Sequence, residues 1–254
     1  MKGVVLAGGL GTRLDPLTRV TNKHLLPVYS KPMVFYPIRT LAAAGVTDVM
    51  VVTSGEHAGD FVKTLRNGSE LGVSLAYGFQ EGAGGIPAAL QVARDFVGED
   101  NCCVILGDNT TDADVRSVVQ NFRPDPEIPL AHLFLRAVPD PERFGVAEIE
   151  KGKIKRIVEK PPVPASNFAV TGLYMFDEFV WRWMDSLKPS ARGELEITDI
   201  SNKYLAEGKI EWSFLDGFWR DAGTFATLFE ANQHWARKEE GMGVAATNTT
   251  EKTP

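Results

Sequence analysis

The sequence predicts an α/β protein with a Rossmann-like, mostly parallel sheet, helices on both faces, and an added β-hairpin region in its second half. Three observations carry this. Apolar runs of strand length alternate with helix-period stretches through the first half, the pattern of βαβ crossovers. Those runs are apolar nearly throughout, as strands covered on both faces are. No linker composition or internal repeat interrupts them, so residues 1–240 read as one domain, followed by a small, polar and flexible tail at 241–254.

The elements follow in order. Lys2–Ala7 is the first buried strand and runs into a glycine-rich loop. Pro32–Ala44 has helical periodicity and stops at Gly45, a residue suited to the left-handed turn that ends helices. Asp48–Thr53 is a strand, Gly59–Arg66 a helix, Val73–Phe79 a strand and Ile86–Phe96 a helix. Cys102–Leu106, Val115–Phe122 and Leu130–Ala137 continue as strand, helix, strand. The texture then changes. Phe144–Glu150 and Lys153–Glu159 alternate around Lys151-Gly152, which reads as a hairpin. Phe168–Phe176 is a further strand, and Glu178–Leu187 and Glu196–Ala206 are helical. Ile210–Phe214 and Gly217–Asp221 are short strands, and Phe225–Lys238 is a closing amphipathic helix.

Composition excludes several classes. The formal net charge of −6 argues against a nucleic-acid binder, which carries a basic stripe. No apolar run approaches the ~18 residues of a membrane span. The start lacks a secretory cleavage site, and the adjacent Cys102 and Cys103 suit a reduced, cytoplasmic setting. Any site for an anionic substrate must then be a local cationic cluster within an acidic chain.

Ala7-Gly8-Gly9-Leu10-Gly11-Thr12-Arg13 is where such a site would begin. Glycines let backbone N–H groups approach phosphate oxygens, and Arg13 adds a permanently charged fork. Lys23, ten residues on, could close on a polyphosphate from the other side. The loop is neither of two familiar phosphate motifs. It lacks the Gly-Lys-Ser/Thr ending of a Walker loop, and a dinucleotide fingerprint from Gly9 and Gly11 ends on Leu14, with Pro16 close behind. Without further context, a tight turn with two surface cations explains it as well.

Asp108 follows the buried strand Cys102–Leu106, at the strand end where open α/β sheets bind ligands. Alone it reads as a turn or helix-capping residue. Asp221 sits at a similar position far downstream. Two carboxylates brought together suit Mg²⁺, which takes one or two protein carboxylates and completes its shell with water and phosphate oxygens. No nucleophile triad is present, and His24, His57, His132 and His234 lack metal-ligand spacing. Phosphoryl-type transfer needs neither: positioning and charge neutralisation suffice.

Together these pieces resemble the sugar-1-phosphate nucleotidylyltransferases, and most nearly the short form of the glucose-1-phosphate thymidylyltransferase family. The resemblance runs from Met1 to about Arg237 through LAGGLGTRL, NKHLLPVYSKPM, ILGDN, RFGVAEI, IVEKP, NFAVTGLYMFD, ARGELEITDI and WRDAGT. It implies a Mg²⁺-dependent attack by a sugar-1-phosphate oxygen on the α-phosphorus of dTTP, with glucose 1-phosphate as acceptor. dTDP-glucose and pyrophosphate are then the products, and a homo-oligomer is the expected assembly. By resemblance, the Gly8–Arg13 loop (Gly8, Gly9, Gly11, Thr12) and Leu6 hold the nucleotide. Arg13 meets the leaving charge and Lys23 the α-phosphate. Gln80 and Gly85 contact the base, and Asp108 and Asp221 hold Mg²⁺. Gly145 and Glu159 contact sugar hydroxyls, Lys160 and Arg192 the sugar phosphate, and Val170 and Thr171 line the sugar side, in the hairpin half of the chain.

Glu159 and Lys160 raise a physical question, since neighbours in a strand face opposite ways unless a twist intervenes; Pro161 could supply the break. One departure concerns the base: Pro87 and Ala88 stand where the family pattern has a small residue and Gln. The alternatives to dTTP chemistry are UTP or another hexose 1-phosphate as substrate, and a non-catalytic sugar-nucleotide binder.

Overall fold

The computed structural model describes residues 1–82 and 84–241. The expected tail therefore lies outside the described residues from 242 onward. The chain opens with β1 (Lys2–Ala7). A hairpin of β2 (Pro27–Val28) and β3 (Lys31–Pro32) then precedes α1 (Phe35–Ala43). The predicted helix 32–44 thus starts later, because Lys31-Pro32 is spent on pairing with β2. β4 (Asp48–Ser54), α2 (Ala58–Leu65) and β5 (Ser74–Gln80) follow. The expected helix 86–96 is two pieces, α3 (Gly85–Gln91) and α4 (Arg94–Val97), and they lead into β6 (Cys102–Leu106).

A short strand that the sequence reading missed, β7 (Asn109–Thr111), precedes α5 (Arg116–Asn121) and β8 (Leu130–Ala137). The hairpin is β9 (Gly145–Glu150) with β10 (Lys153–Glu159). Then come β11 (Phe168–Phe176), α6 (Phe179–Met184), α7 (Ile197–Glu207), β12 (Lys209–Phe214), β13 (Trp219–Asp221) and α8 (Phe225–Glu239).

Nine strands form the main sheet in the order β10-β9-β11-β6-β1-β4-β5, with β8 on β11 and β12 on β8. The β6-β1-β4-β5 core is parallel, and β11 joins it antiparallel. Along β1, Val5 and Ala7 enter one core with Ile38, Leu41 and Phe61, while Val4 and Leu6 enter another with Leu90 and Ile200. That alternation puts helices on both faces. Phe61 is fully buried, so Phe61→Ala should cost about 3–5 kcal/mol.

The chain leaves β1 toward β4 and β5, then returns to β6 on the other side of β1. This reversal makes a crevice beyond the carboxyl ends of β1 and β6. Gly107 N–H donates to Leu6 O (2.8 Å), so the loops after the two strands start side by side.

A third, smaller core lies over that crevice. It joins Leu14 and Leu26, from the segments carrying Arg13 and Lys23, to Ala222, Leu228 and Ala231, next to Asp221 and on α8. Thr224 and Thr227 form a reciprocal capping box that starts α8 at once after Gly223. The first and last parts of the chain are thereby fixed to one another at the mouth of the sheet.

Candidate active site

A cavity of about 700 Å³ opens at this crevice, large enough for a sugar nucleotide. The end beside β1 and β5 is built on bare backbone. Gly11 takes φ 68°, and Leu14 N–H donates to Gly11 O (2.8 Å), closing a tight turn that presents Thr12 and Arg13. Gln80, at the end of β5, lays its amide against Gly8: a Cβ on Gly8 would stand 2.7 Å from Gln80 Oε1. Gly85 has φ 83°, and a Cβ there would stand 2.2 Å from Leu195 O, so only glycine fits. Ile86 and Ala89 complete this wall, whereas Pro87 and Ala88 do not line the cavity. The departure from the family pattern therefore falls behind the wall.

The two aspartates meet through a ladder the sequence did not reveal. β13 pairs antiparallel with β7, setting Asp221 opposite Asn109, and Ala222 N–H donates to Asp108 O (2.8 Å). Asn109 organises the junction. Its Oδ1 accepts from Trp219 Nε1 (2.7 Å) and Gly172 N–H (3.1 Å), and its Nδ2 donates to Asp108 Oδ1 (3.1 Å). Asn109→Leu leaves two buried donors unpaired. We expect a loss of about 2–4 kcal/mol in stability, read by thermal unfolding, together with lowered activity.

Lys23 Nζ lies 2.6 Å from Asp108 Oδ2, and both side chains are nearly enclosed. The lysine is placed by a short turn in which Asn22 Oδ1 accepts from His24 N–H (2.9 Å). The His24 ring packs on Gly107, where a Cβ would stand 2.8 Å from its Cδ2. Burial, reinforced by the Lys23 charge, pushes the His24 imidazole down to about 3, so it is neutral and acts as packing. Arg13 reaches the same spot: a Cβ on Gly223 would stand 3.1 Å from Arg13 Nη2 and 3.5 Å from Asp108 Oδ2.

The carboxylates have opposite electrostatics. Burial alone would raise the Asp108 carboxyl, but the Lys23 charge and hydrogen bond outweigh it and hold it well below the usual carboxylate range. Burial, and then repulsion from Asp108, push the Asp221 carboxyl up to about 6, with Arg143, Arg13 and Lys23 opposing. Mutual repulsion of this kind is what a shared cation relieves.

The donor set fits Mg²⁺: two oxygen ligands facing one cavity. No larger cluster of His, Cys, Asp or Glu that could hold a metal occurs among the described residues.

At the end beside the hairpin, Glu159 pairs with Gly145 across β9 and β10. Glu159 Oε2 accepts from Thr198 Oγ1 (2.6 Å), and Oε1 accepts from Arg192 Nη2 (3.1 Å). A Cβ on Gly145 would crowd Thr198 Oγ1 at 3.0 Å, so the glycine keeps this corner open. Lys160 takes φ 40° and donates its N–H to Phe144 O (2.9 Å). That left-handed turn brings its side chain back beside Glu159, Nζ lying 3.8 Å from Oε1, and resolves the alternation problem. Arg192 is also held by Glu196, with Nη2 2.7 Å from Oε2.

The cavity wall includes Leu6, Gly8, Gly9, Gly11, Thr12, Arg13, Lys23, Gln80, Gly85, Asp108, Gly145, Glu159, Lys160, Val170, Arg192 and Asp221. Thr171 is a correction. It is fully buried off the wall, with Oγ1 donating to Phe134 O (2.9 Å), while Val170 and Gly172 face the cavity. Strand alternation puts it on the far face.

A second correction concerns charge. The wall carries five Lys and Arg side chains but also five Asp and Glu side chains, so it is balanced rather than cationic. Glu196, Thr198, Asn109 and Arg143 were not anticipated from sequence. All four lie inside motifs that carry the resemblance: Asn109 in ILGDN, Arg143 in RFGVAEI, and Glu196 and Thr198 in ARGELEITDI.

A family model described as nucleotidyl transferase matches residues 2–238. The glucose-1-phosphate thymidylyltransferase of Neisseria meningitidis serogroup A is 43% identical over 235 residues, which cover 91% of this chain and 81% of that one. Its namesake from an Actinoplanes species is 39% identical over 248 residues, covering 96% and 81%. A Bacillus anthracis crystal structure in complex with a sucrose superposes with a TM-score of 0.87 at 50% identity, covering 92% of this chain and 94% of that one. A UDP-glucose pyrophosphorylase complexed with UDP-glucose, 24% identical, shares the fold (TM-score 0.81; 93% and 98% covered). The chain belongs to the nucleotidyl transferase family and, within it, to the glucose-1-phosphate thymidylyltransferases.

Proposed function

We propose that this chain transfers the thymidylyl group of dTTP to α-D-glucose 1-phosphate, giving dTDP-glucose and pyrophosphate, with Mg²⁺ as the cation. The observation that carries the reading is the convergence of Asp108, Asp221, Arg13 and Lys23 on one cavity whose far end holds Glu159, Lys160 and Arg192.

In this reading the cavity is divided between the two substrates. Gln80, Gly85, Ile86 and Leu6 bound the base end. Gly8–Arg13 wraps the triphosphate, with Arg13 toward the departing pyrophosphate. Lys23 neutralises the α-phosphate, where the pentacoordinate charge develops. Glu159 accepts from sugar hydroxyls, and Lys160 and Arg192 orient the sugar phosphate, whose oxygen is already anionic and needs no base. Asp108 and Asp221 would hold Mg²⁺, which would supply positive charge against the phosphates. Because the wall's five Lys and Arg are matched by five Asp and Glu, the cation would add to the charge that Arg13 and Lys23 supply.

A nucleotide-by-sugar activity matrix with pyrophosphate readout tests this. dTTP with glucose 1-phosphate should give the highest kcat/KM. Turnover with no pair would defeat the reading, and a UTP optimum would reassign the base. A second expectation concerns pH. A divalent cation must displace the proton from Asp221, so the Mg²⁺ concentration for half-maximal rate should rise up to about tenfold per pH unit below about 6 and be flat above 7. A flat profile from pH 5 to 8 would remove Asp221 from the metal site.

We place the reaction in the cytoplasm, in a homo-oligomer. The free, buried Cys102 and Cys103 support a reducing compartment. Among the described residues no helix is long and apolar enough to cross a membrane.

A further inference from the structure

Arg143 stands between the two ends of the cavity, and no step above uses it. Its Nη2 lies 3.1 Å from Asp221 Oδ2 and 3.3 Å from Oδ1. One nitrogen nearly equidistant from both oxygens, at hydrogen-bonding angles, must sit on the open edge of the carboxylate. That is the edge a cation uses for bidentate chelation.

The guanidinium is not free to leave. Nη1 donates to Asp140 Oδ2 (2.6 Å), and the group lies 5.3 Å from the Phe144 ring centroid. Phe144 in turn packs on Trp219, with centroids 5.5 Å apart, in the same short strand as Asp221. Arg143 is therefore fixed from both sides, about three-quarters buried, and committed to Asp221 rather than to a substrate.

We propose that Arg143 is a positioning residue that selects the cation: it caps the chelating edge of Asp221, so that the carboxylate offers one oxygen at a time. Mg²⁺ demands near-ideal octahedral geometry and is satisfied by single oxygens. Ca²⁺ takes six to eight ligands and readily accepts bidentate carboxylates. A capped Asp221 penalises the larger ion without touching it. This inference rests on the metal reading proposed above.

The test is metal competition on the whole protein, without turnover. Bound Mn²⁺ is followed by electron paramagnetic resonance, and the Mg²⁺ and Ca²⁺ concentrations that displace half of it are compared. Arg143→Met should lower the Ca²⁺ requirement relative to the Mg²⁺ requirement by about tenfold, the usual scale for partners of metal ligands. Arg143→Lys keeps the charge and a safer fold, but it cannot bridge Asp140 and Asp221 together, so it should shift the ratio the same way by less.

General loosening of the site would weaken both ions alike. An unchanged ratio in both variants overturns the proposal, and so does a ratio shift by Arg143→Met that persists in an Asp221→Asn background. The underlying metal reading fails separately, if the wild type shows no saturable Mn²⁺ binding or if Asp221→Asn binds it equally well.

Discussion

Asp108→Asn should lower kcat by on the order of 10²–10³-fold at saturating Mg²⁺, the scale for losing one preorganised electrostatic element of such a site. The substitution preserves shape but inverts the local chemistry. Asp108 accepts from Lys23 Nζ on one oxygen and from Asn109 Nδ2 on the other. An amide must turn its own NH₂ toward one of these donors, so one contact becomes donor against donor. Lys23 is also left nearly enclosed and unpaired, at a stability cost of about 3 kcal/mol. Activity should thus be measured well below the variant's melting temperature, by pyrophosphate release. The amide has no proton to lose, so raising the pH should not rescue the variant. Near-wild-type kcat at limiting Mg²⁺ would take Asp108 out of the metal site.

Gly85→Ala is the second large effect, and it arises from backbone alone. The residue holds φ 83°, which costs an L-side chain roughly 1–2 kcal/mol. Its Cβ would also stand 2.2 Å from Leu195 O, a backbone atom with no rotamer to change. Relief requires parting Gly84-Gly85 from Leu195, which breaks the bond from Leu195 N–H to Gly84 O (3.1 Å). That contact joins the cavity wall at the start of α3 to the segment carrying Arg192 and Glu196. We expect the KM for dTTP to rise at least about tenfold, and stability to fall by about 2–3 kcal/mol. A variant with unchanged KM and melting temperature would show that the segment adapts freely.

The parallel core was legible because its strands are almost pure apolar runs and its crossovers have helical period. The same logic failed where polarity hid pairing. Asn109-Thr110-Thr111 is too short and too polar to stand out as a strand despite its two threonines, yet it forms the ladder that brings Asp221 to Asp108. The helix expected over 86–96 breaks at Val92-Ala93, a local event in a stretch of good helix formers.

Every site residue the motifs indicated except Thr171 lies on the cavity wall, and Gly8, Gln80, Asp108, Glu159 and Asp221 do so at or just past strand ends. Thr171 was misplaced by one position, the smallest error that strand alternation punishes. The charge of the cavity was also not readable. Arg13, Lys23, Lys160 and Arg192 suggested a cationic patch, but their partners, and Arg143 with its hold on Asp221, come from distant segments whose meeting only the fold determines.

The central claim is that Asp108 and Asp221 share one cation beneath the triphosphate. It is tested most directly by anomalous diffraction from crystals soaked with Mn²⁺ and dTTP. One peak should appear within about 2.0–2.3 Å of a single oxygen of each carboxylate, with nucleotide phosphate oxygens completing the shell. A peak that touches only one of the two aspartates, or one that lies on the phosphates away from both, would contradict it.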